Sequence, residues 1–482
     1  NGSESFTEHT IDGDFDGAVS IYATDVDGDG DVDVLGAAGG ADDITWWENN
    51  GSESFTKHTI DGDFDNAIDV YAIDVDGDGD VDVLGAAPAA NDIAWYENKT
   101  TVVSGNAGFR MLSSPVAGTI YDELLAPFWT QGMTGADYTG GDANVWTYNA
   151  ATSAWAALTN LTTNSYTAGS GILIYVYTDV DGDGDDDIAG GVNVGIVNGT
   201  ENSAPVSIST TASTWNLLGN PFVATIDADQ LFSDNSNYTA VVYVYDDANS
   251  QYNTWNGSTG DLSNGLISPY QGFWIQSGGS GTSFSFTSSC KSTSVGTFYR
   301  TMSDSSGSVA FQLSSGSYNT TAYLSFNIDA LEGIDNADAY KLLPMSPSER
   351  VVGISYAEGN GLDISNLPYS HDGSISIPLD VMYLTVDDDY NFVTNENEVT
   401  VSWDLSSLPG HVSLTLTDNV TGTAVNLTEE SEITFSTGAK GSFPAYGSNG
   451  VNIYPQVGES QFTLTVAYSA LTTNDDMMPK EF

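Results

Sequence analysis

Basic residues are almost absent from this chain. Nine Lys and Arg stand against 66 Asp and Glu, a formal net charge of −57 over 482 residues. Phosphate binding needs clustered cations, so nucleic acid and anionic membrane are excluded as natural partners. Cysteine is scarcer still. Cys290 is alone, which excludes an intrachain disulfide and leaves packing, strand pairing or metal to stabilise the chain. No apolar run reaches the roughly 18 residues of a transmembrane helix, so no membrane insertion is expected. Helical patterning is confined to two short candidates, 122–128 and 228–232. The chain opens at Asn1 inside a repeating pattern, with neither an initiator Met nor a signal peptide, as expected of a processed protein or a fragment.

What is abundant is Asp. Of the 66 acids, 17 are Glu and 49 are Asp. Solvated helix faces favour Glu, whereas Asp suits turns and cation loops because its short side chain bonds its own backbone. The charge points to cations or to life in high salt. With 40% hydrophobic and 11% aromatic residues, disorder is a poor reading. The 51 Gly, alongside much Ser, Thr, Asn and Tyr, describe an all-β surface protein better than a cytosolic enzyme.

The chain is internally repetitive. Residues 1–49 and 50–98 are two copies of a 49-residue unit, so that Asp25 matches Asp74. In the first copy, four β-like runs lie around Phe6–Ile11, Val19–Thr24, Val32–Ala37 and Ile44–Glu48, the size of one propeller blade. After a linker at 99–107, residues 108–290 read as a duplicated β-rich module, about 108–200 and 201–290. Its copies are marked by GFRMLSSPVAGTI (Gly108–Ile120) against TWNLLGNPFVATI (Thr214–Ile226), and by VWTYNAATSAW (Val145–Trp155) against VYVYDDANSQY (Val242–Tyr252). Alternating runs with turn clusters between them predict a β-sandwich over 295–470, and 471–482 a flexible tail. The expected fold class is all-β: two propeller-blade-like repeats, the duplicated module and a C-terminal sandwich.

One motif carries chemistry. DVDGDGDVD occurs at Asp25–Asp33 and Asp74–Asp82, and DVDGDGDDD at Asp179–Asp187. Alternate acids let a chain curl round a Ca²⁺ ion, which takes six to eight hard oxygen ligands, and Gly permits the sharp turn. The expected ligands are the carboxylates of Asp25, Asp27, Asp29 and Asp33 with the carbonyl of Asp31. The second loop offers Asp74, Asp76, Asp78 and Asp82 with the carbonyl of Asp80. The third offers Asp179, Asp181, Asp183 and Asp187 with the carbonyl of Asp185. The rival reading is a solvated acidic turn, but carboxylates so close repel one another without a cation, and the spacing recurs three times. Mg²⁺ is disfavoured by its demand for tight octahedral geometry. An EF-hand is excluded because Gly36, Gly85 and Gly190 stand where its bidentate Glu belongs.

On these residues, 1–98 and the isolated loop 179–187 resemble FG-GAP/VCBS-type repeats, the integrin-α-like calcium-binding blades. DDITWWEN resembles secreted bacterial members of that group. The resemblance implies a Ca²⁺ in each hairpin loop, on the ligands just named. Such propellers close with about seven blades and this chain has two, so either upstream repeats are missing or the blades stack on something else, such as another subunit. Residues 108–470 resemble, more loosely, C-terminal regions of large secreted proteins of Bacteroidota-like bacteria. The cues are LLGNPF (Leu217–Phe222), YQGFWIQ (Tyr270–Gln276), AYKLLP (Ala339–Pro344) and LTLTDNVTG (Leu414–Gly422). This resemblance implies export and surface display and names no activity.

Catalytic signatures are missing. No nucleophile elbow or H-E-x-x-H appears, and His9 and His58 are repeat equivalents that serve the blade; His371 and His411 complete the histidines. Cys290 reads as a small buried residue. Trp46, Trp47, Trp95 and Tyr96 could stack on sugars, but core packing is the more frequent role of such rings. Asp12, Asp14 and Asp16, with Asp61, Asp63 and Asp65, form shorter acidic turns. Asn198, Asn256, Asn319 and Asn426 stand in glycosylation sequons. The expectation is a secreted, non-enzymatic, calcium-stabilised structural protein of the cell surface or extracellular matrix, self-associating head to tail into a homopolymeric fibre or layer. The alternatives are an adhesin or carbohydrate-binding region recognising surface glycans, and the non-catalytic part of a secreted hydrolase.

Overall fold

The computed structural model describes residues 7–26, 32–49, 54–73, 75, 81–96, 98, 102–103, 107–116, 118, 120–177, 192–193, 202–247, 249–292, 307–328, 330–445 and 451–469. The tail 471–482, the third aspartate loop and Asn198 lie outside them. The chain divides into two compact units, Asn1–Thr100 and Thr101–Phe482. Strands dominate both, and among the described residues no helix is long and apolar enough to cross a membrane.

In the first unit, seven strands form two antiparallel sheets. The strands are β1 (Ala18–Thr24), β2 (Asp33–Ala38), β3 (Asp43–Asn49), β4 (Phe55–Asp61), β5 (Asp69–Ile73), β6 (Asp82–Ala87) and β7 (Asp92–Tyr96). The sheet orders are β1-β2-β3-β4 and β5-β6-β7. The sheet boundary is therefore displaced by one strand from the repeat boundary. The first run of the second repeat, Phe55–Asp61, pairs with β3 of the first repeat, Trp46 opposite His58 and Trp47 opposite Lys57. A short hairpin makes this the most local partner available. In the matching run of the first repeat, residues 7–11 are not a strand.

Alternation explains what each strand buries. Ile44 of β3 meets Phe64, Ala67, Val70 and Ala72 of the second repeat in one apolar core with Leu35 and Ala37. Gly36 and Gly85 make room for the aromatic that follows each acidic turn. A Cβ on Gly36 would lie 2.9 Å from the Phe15 ring, and one on Gly85 2.9 Å from Phe64.

The second unit begins with the duplicated module. Its first copy is a four-stranded sheet of Gly108–Leu112, Ile172–Val176, Val145–Asn149 and Ala154–Ala157, in that spatial order. The second copy repeats the order with Trp215–Gly219, Gly272–Ser277, Tyr238–Asp246 and Gln251–Trp255. The helices Tyr121–Leu124 and Ala228–Asp234 follow the first strand in each copy, where the two helical candidates lie. Beyond the module, the two layers expected of a sandwich are joined as one 13-stranded sheet. It curls so that Val309, Leu313 and Val399 near one end share a core with Leu414, Phe462 and Leu464 near the other. The hinge of the curl is the long strand Ser374–Val386, which pairs with Phe462–Tyr468 along its first half and with Arg350–Ala357 along its second.

Module and curled sheet share an apolar core that includes Met111, Leu217, Tyr243 and Trp274 from one, and Tyr323, Leu342 and Ile364 from the other. Scarce cations staple this unit. Arg110 pairs with Asp247 at 3.0 Å and Lys341 with Asp363 at 2.5 Å, all four buried.

Candidate metal centre

Each aspartate loop of the first unit connects two strands of a hairpin, β1 to β2 and β5 to β6. The last acid of each loop opens the second strand with its side chain fully buried: Asp33 in β2, Asp82 in β6. Both oxygens of each are held by main chain. Asp33 Oδ2 accepts from the Val26 N–H at 2.9 Å and Oδ1 from the Asn49 N–H at 2.8 Å. Asp82 Oδ2 accepts from the Val75 N–H at 2.8 Å and Oδ1 from the Asn98 N–H at 2.8 Å. The carboxylate thus ties the start of its loop to the end of its repeat. Asn49 and Asn98 return the favour, donating from Nδ2 to the carbonyls of Val32 and Val81, both at 3.2 Å. Asn98 also donates to the Val26 carbonyl of the first loop at 3.0 Å, so one side chain bridges both loops.

Neither Asp33 nor Asp82 pairs with Lys, Arg or His among the described residues. Burying an anion without a counter-charge is costly, and two backbone N–H groups offset only part of that cost. Each carboxylate oxygen keeps a lone pair. These are hard, anionic oxygen donors beside a loop rich in more of them, and that donor chemistry fits a divalent calcium ion. Asp25 is half-buried at the start of the first loop. Asp27, Asp29, Asp31, Asp74, Asp76, Asp78 and Asp80 lie outside the described residues, as do Asp179, Asp181, Asp183, Asp185 and Asp187 of the third loop. Among the described residues, no three acids, His or Cys gather as a metal cluster.

Sequence reasoning missed Asn49 and Asn98. The available signal was their shared separation of 16 residues from the last loop acid. The other candidates fall into structural roles. Trp47 is buried with Phe15 edge-on at 4.8 Å. Trp46 stacks on His58 at 4.6 Å, and His58 Nε2 meets Glu48 at 2.7 Å. Asp12 and Asp61 close ordinary turns by accepting the N–H of Asp14 and Asp63. Cys290 is buried, and burial pushes its thiol up to about 12. Asn256 is buried, donating to the Ala337 carbonyl at 2.8 Å, so that sequon is closed to glycosylation.

The second unit holds one further acidic cluster. Asp363 accepts from Lys341 and from Thr254 Oγ1, and nearby Asp261 accepts from Tyr323 Oη at 2.7 Å. Burial, then the Asp363 charge, push Asp261 up to about 6. These groups are buried between module and curled sheet, which they join. Asp338 is likewise buried, and desolvation pushes it up to about 7 although it accepts the N–H groups of Asn366 and Asp335. Its raised value means that the folded chain keeps a proton the unfolded chain has released. Stability from this group is full below the ordinary value of 3.8 and is lost as pH rises through about 7. Residues 101–482 should therefore be more stable at pH 5.5 than at pH 8.5, by about 2 kcal/mol from Asp338 alone. Asp338→Asn should flatten that pH slope in calorimetry, whatever it does to the absolute melting temperature.

Residues 25–85 match the family model of the FG-GAP-like repeat, from the first acid of the first loop to Gly85 beyond the second. Repeats of this kind typically occur in extracellular or surface proteins. Neither the curated proteins nor the solved structures give a match to the chain.

Proposed function

We propose that this chain is an exported, non-catalytic structural protein of the cell surface or extracellular matrix, stabilised by calcium and associating head to tail with copies of itself. The observation that carries the reading is the pair of fully buried carboxylates, Asp33 and Asp82, each closing an aspartate-rich hairpin and lacking a basic partner among the described residues. Calcium would be held in the first loop by Asp25, Asp27, Asp29 and Asp33 with the Asp31 carbonyl, and in the others by the corresponding residues. Its role there is charge neutralisation. With the cation bound, the loop acids cease to repel and the hairpin ends stay together. The protein's own residues do the rest: Asp33 and Asp82 fix the loop bases, and Asn98 ties one loop to the other.

Extracellular calcium modules bind at about 10⁻⁴–10⁻³ M. Equilibrium dialysis against millimolar calcium should accordingly find one ion for each of the three loops and little competition from magnesium. A chain that takes up none refutes the reading. Exposed Trp95 favours a second possibility, recognition of surface glycans, which a glycan array tests directly.

A further inference from the structure

The first unit ends in two unlike open faces, and they are complementary. At the joint between its sheets, Ile44 of β3 is 0% exposed and Val70 of β5 is 3% exposed. Their equivalents 49 residues away face the other way: Ile93 of β7 is 81% exposed and Ile21 of β1 is 77% exposed. The same residue types are thus buried at the joint between the two repeats and bare on the outer faces of the described residues. The hydrogen-bonding edges show the same contrast. β3 carries β4, while β7 pairs with β6 alone among the described residues. Residues 7–11, nearly identical in sequence to β4 (TEHTI against TKHTI), lie exposed and outside any strand.

We propose that these faces dock a second copy of the chain, residues 7–12 of one copy adding as the fourth strand on β7 of the next. The inference rests on the head-to-tail reading above and specifies its contact. The register follows from β3 and β4, where Ile44, Thr45, Trp46 and Trp47 oppose Asp61, Thr59, His58 and Lys57. Shifted by one repeat, Ile93, Ala94, Trp95 and Tyr96 of one copy oppose Asp12, Thr10, His9 and Glu8 of the other. Trp95 would stack on His9 as Trp46 stacks on His58. The existing joint already pairs repeat equivalents, Tyr22 on Tyr71 at 4.9 Å and Ser20 Oγ donating to Asp69 at 2.8 Å, so the pattern can propagate.

Among the described residues the strand does not reach β7 of its own chain. The turn after it is held on the first sheet by Phe15 on Trp47 and by Asp12 to Lys57 at 3.4 Å. In the second repeat the corresponding turn is held by Phe64 on Tyr96, and the run before it pairs with the preceding sheet. By the same pattern the first repeat's run reaches a sheet other than its own, and the unpaired edge of β7 in another copy offers one. One substitution weakens the contact. Glu8 replaces Lys57 and would face Asp61 of the other copy, where Lys57 faces Asp12. Association should therefore tighten with ionic strength.

The full chain carries one buried cysteine, so engineered thiols act alone. Oxidising a mixture of His9→Cys and Trp95→Cys chains in millimolar calcium should yield a covalent dimer. The yield should exceed by about tenfold that of Val420→Cys mixed with Trp95→Cys, since a disulfide needs Cα atoms within about 7 Å. Glu8→Lys, which restores the Lys found in β4, should tighten association about fivefold to tenfold by sedimentation. Light scattering that shows assembly without the 9–95 link overturns this docking and leaves head-to-tail association standing. Monodisperse chains without the link overturn both. An unchanged affinity of Glu8→Lys overturns the register.

Discussion

Removing calcium should lower the melting temperature of residues 1–98 by about 20 °C and that of 101–482 by far less. The arithmetic is that of ligand linkage. At about 100 times its Kd, a ligand that binds only the folded state adds roughly 2.7 kcal/mol. Two loops make about 5 kcal/mol, comparable with the whole net stability of a small domain. A domain of about 100 residues moves roughly 4–8 °C per kcal/mol. The first unit has one modest core around Leu35, Ile44 and Val70, whereas the second buries several large aromatic-rich ones. Its single loop at 179–187 is a small part of that total. Calorimetry in millimolar calcium, repeated after chelation, should resolve two transitions of which the first moves. A first transition that stays in place would falsify calcium stabilisation.

The second large effect comes from the carboxylates at the loop bases, and it is asymmetric. Replacing Asp82 by Asn turns one accepting oxygen into an N–H donor that faces the backbone N–H of Val75 or Asn98. A buried donor left without an acceptor costs about 1–3 kcal/mol before any loss of the ion is counted. The damage should also travel. Asn98 is positioned by Asp82 and bonds the Val26 carbonyl of the first loop, so Asp82→Asn should weaken calcium binding in both loops. Asp33 positions Asn49, whose side chain reaches its own loop at Val32, so Asp33→Asn should weaken the first loop chiefly. Calcium titration of the two variants, followed by calorimetry, separates the cases; equal and local losses would show that Asn98 transmits nothing.

Much of this architecture could be read in advance because strand patterning is local. The alternation read over 295–470 falls on strands of the curled sheet such as Ser308–Ser315, Glu398–Asp404, Val412–Asp418 and Phe462–Tyr468. The echo of Val145–Trp155 in Val242–Tyr252 lands on matching strands of two sheets with one topology. What stayed hidden is what depends on partners distant in sequence. Residues 7–11 and their equivalents within Phe55–Asp61 carry nearly the same pattern, yet only the second run is a strand, since a strand needs a neighbouring edge. The joining of the sandwich's layers into one sheet depends on where Ser374–Val386 changes partners, which alternation does not encode. At the candidate metal centre, the alternating acids stand out in the sequence by their spacing. The clasp made by Asn49 and Asn98 does not, because a backbone N–H carries no sequence signature and an Asn beside a strand end reads as an ordinary turn residue.

The offset of one strand between sheet and repeat bears on how such a chain can change its length. Inserting or deleting a whole 49-residue unit leaves every internal sheet complete, because each unit hands its leading strand back and receives one in return. Among the described residues the last unit's sheet is the one short of a strand. Copy number can therefore drift by unequal recombination without a new core having to evolve, and the unfinished edge moves unchanged to whichever unit stands last.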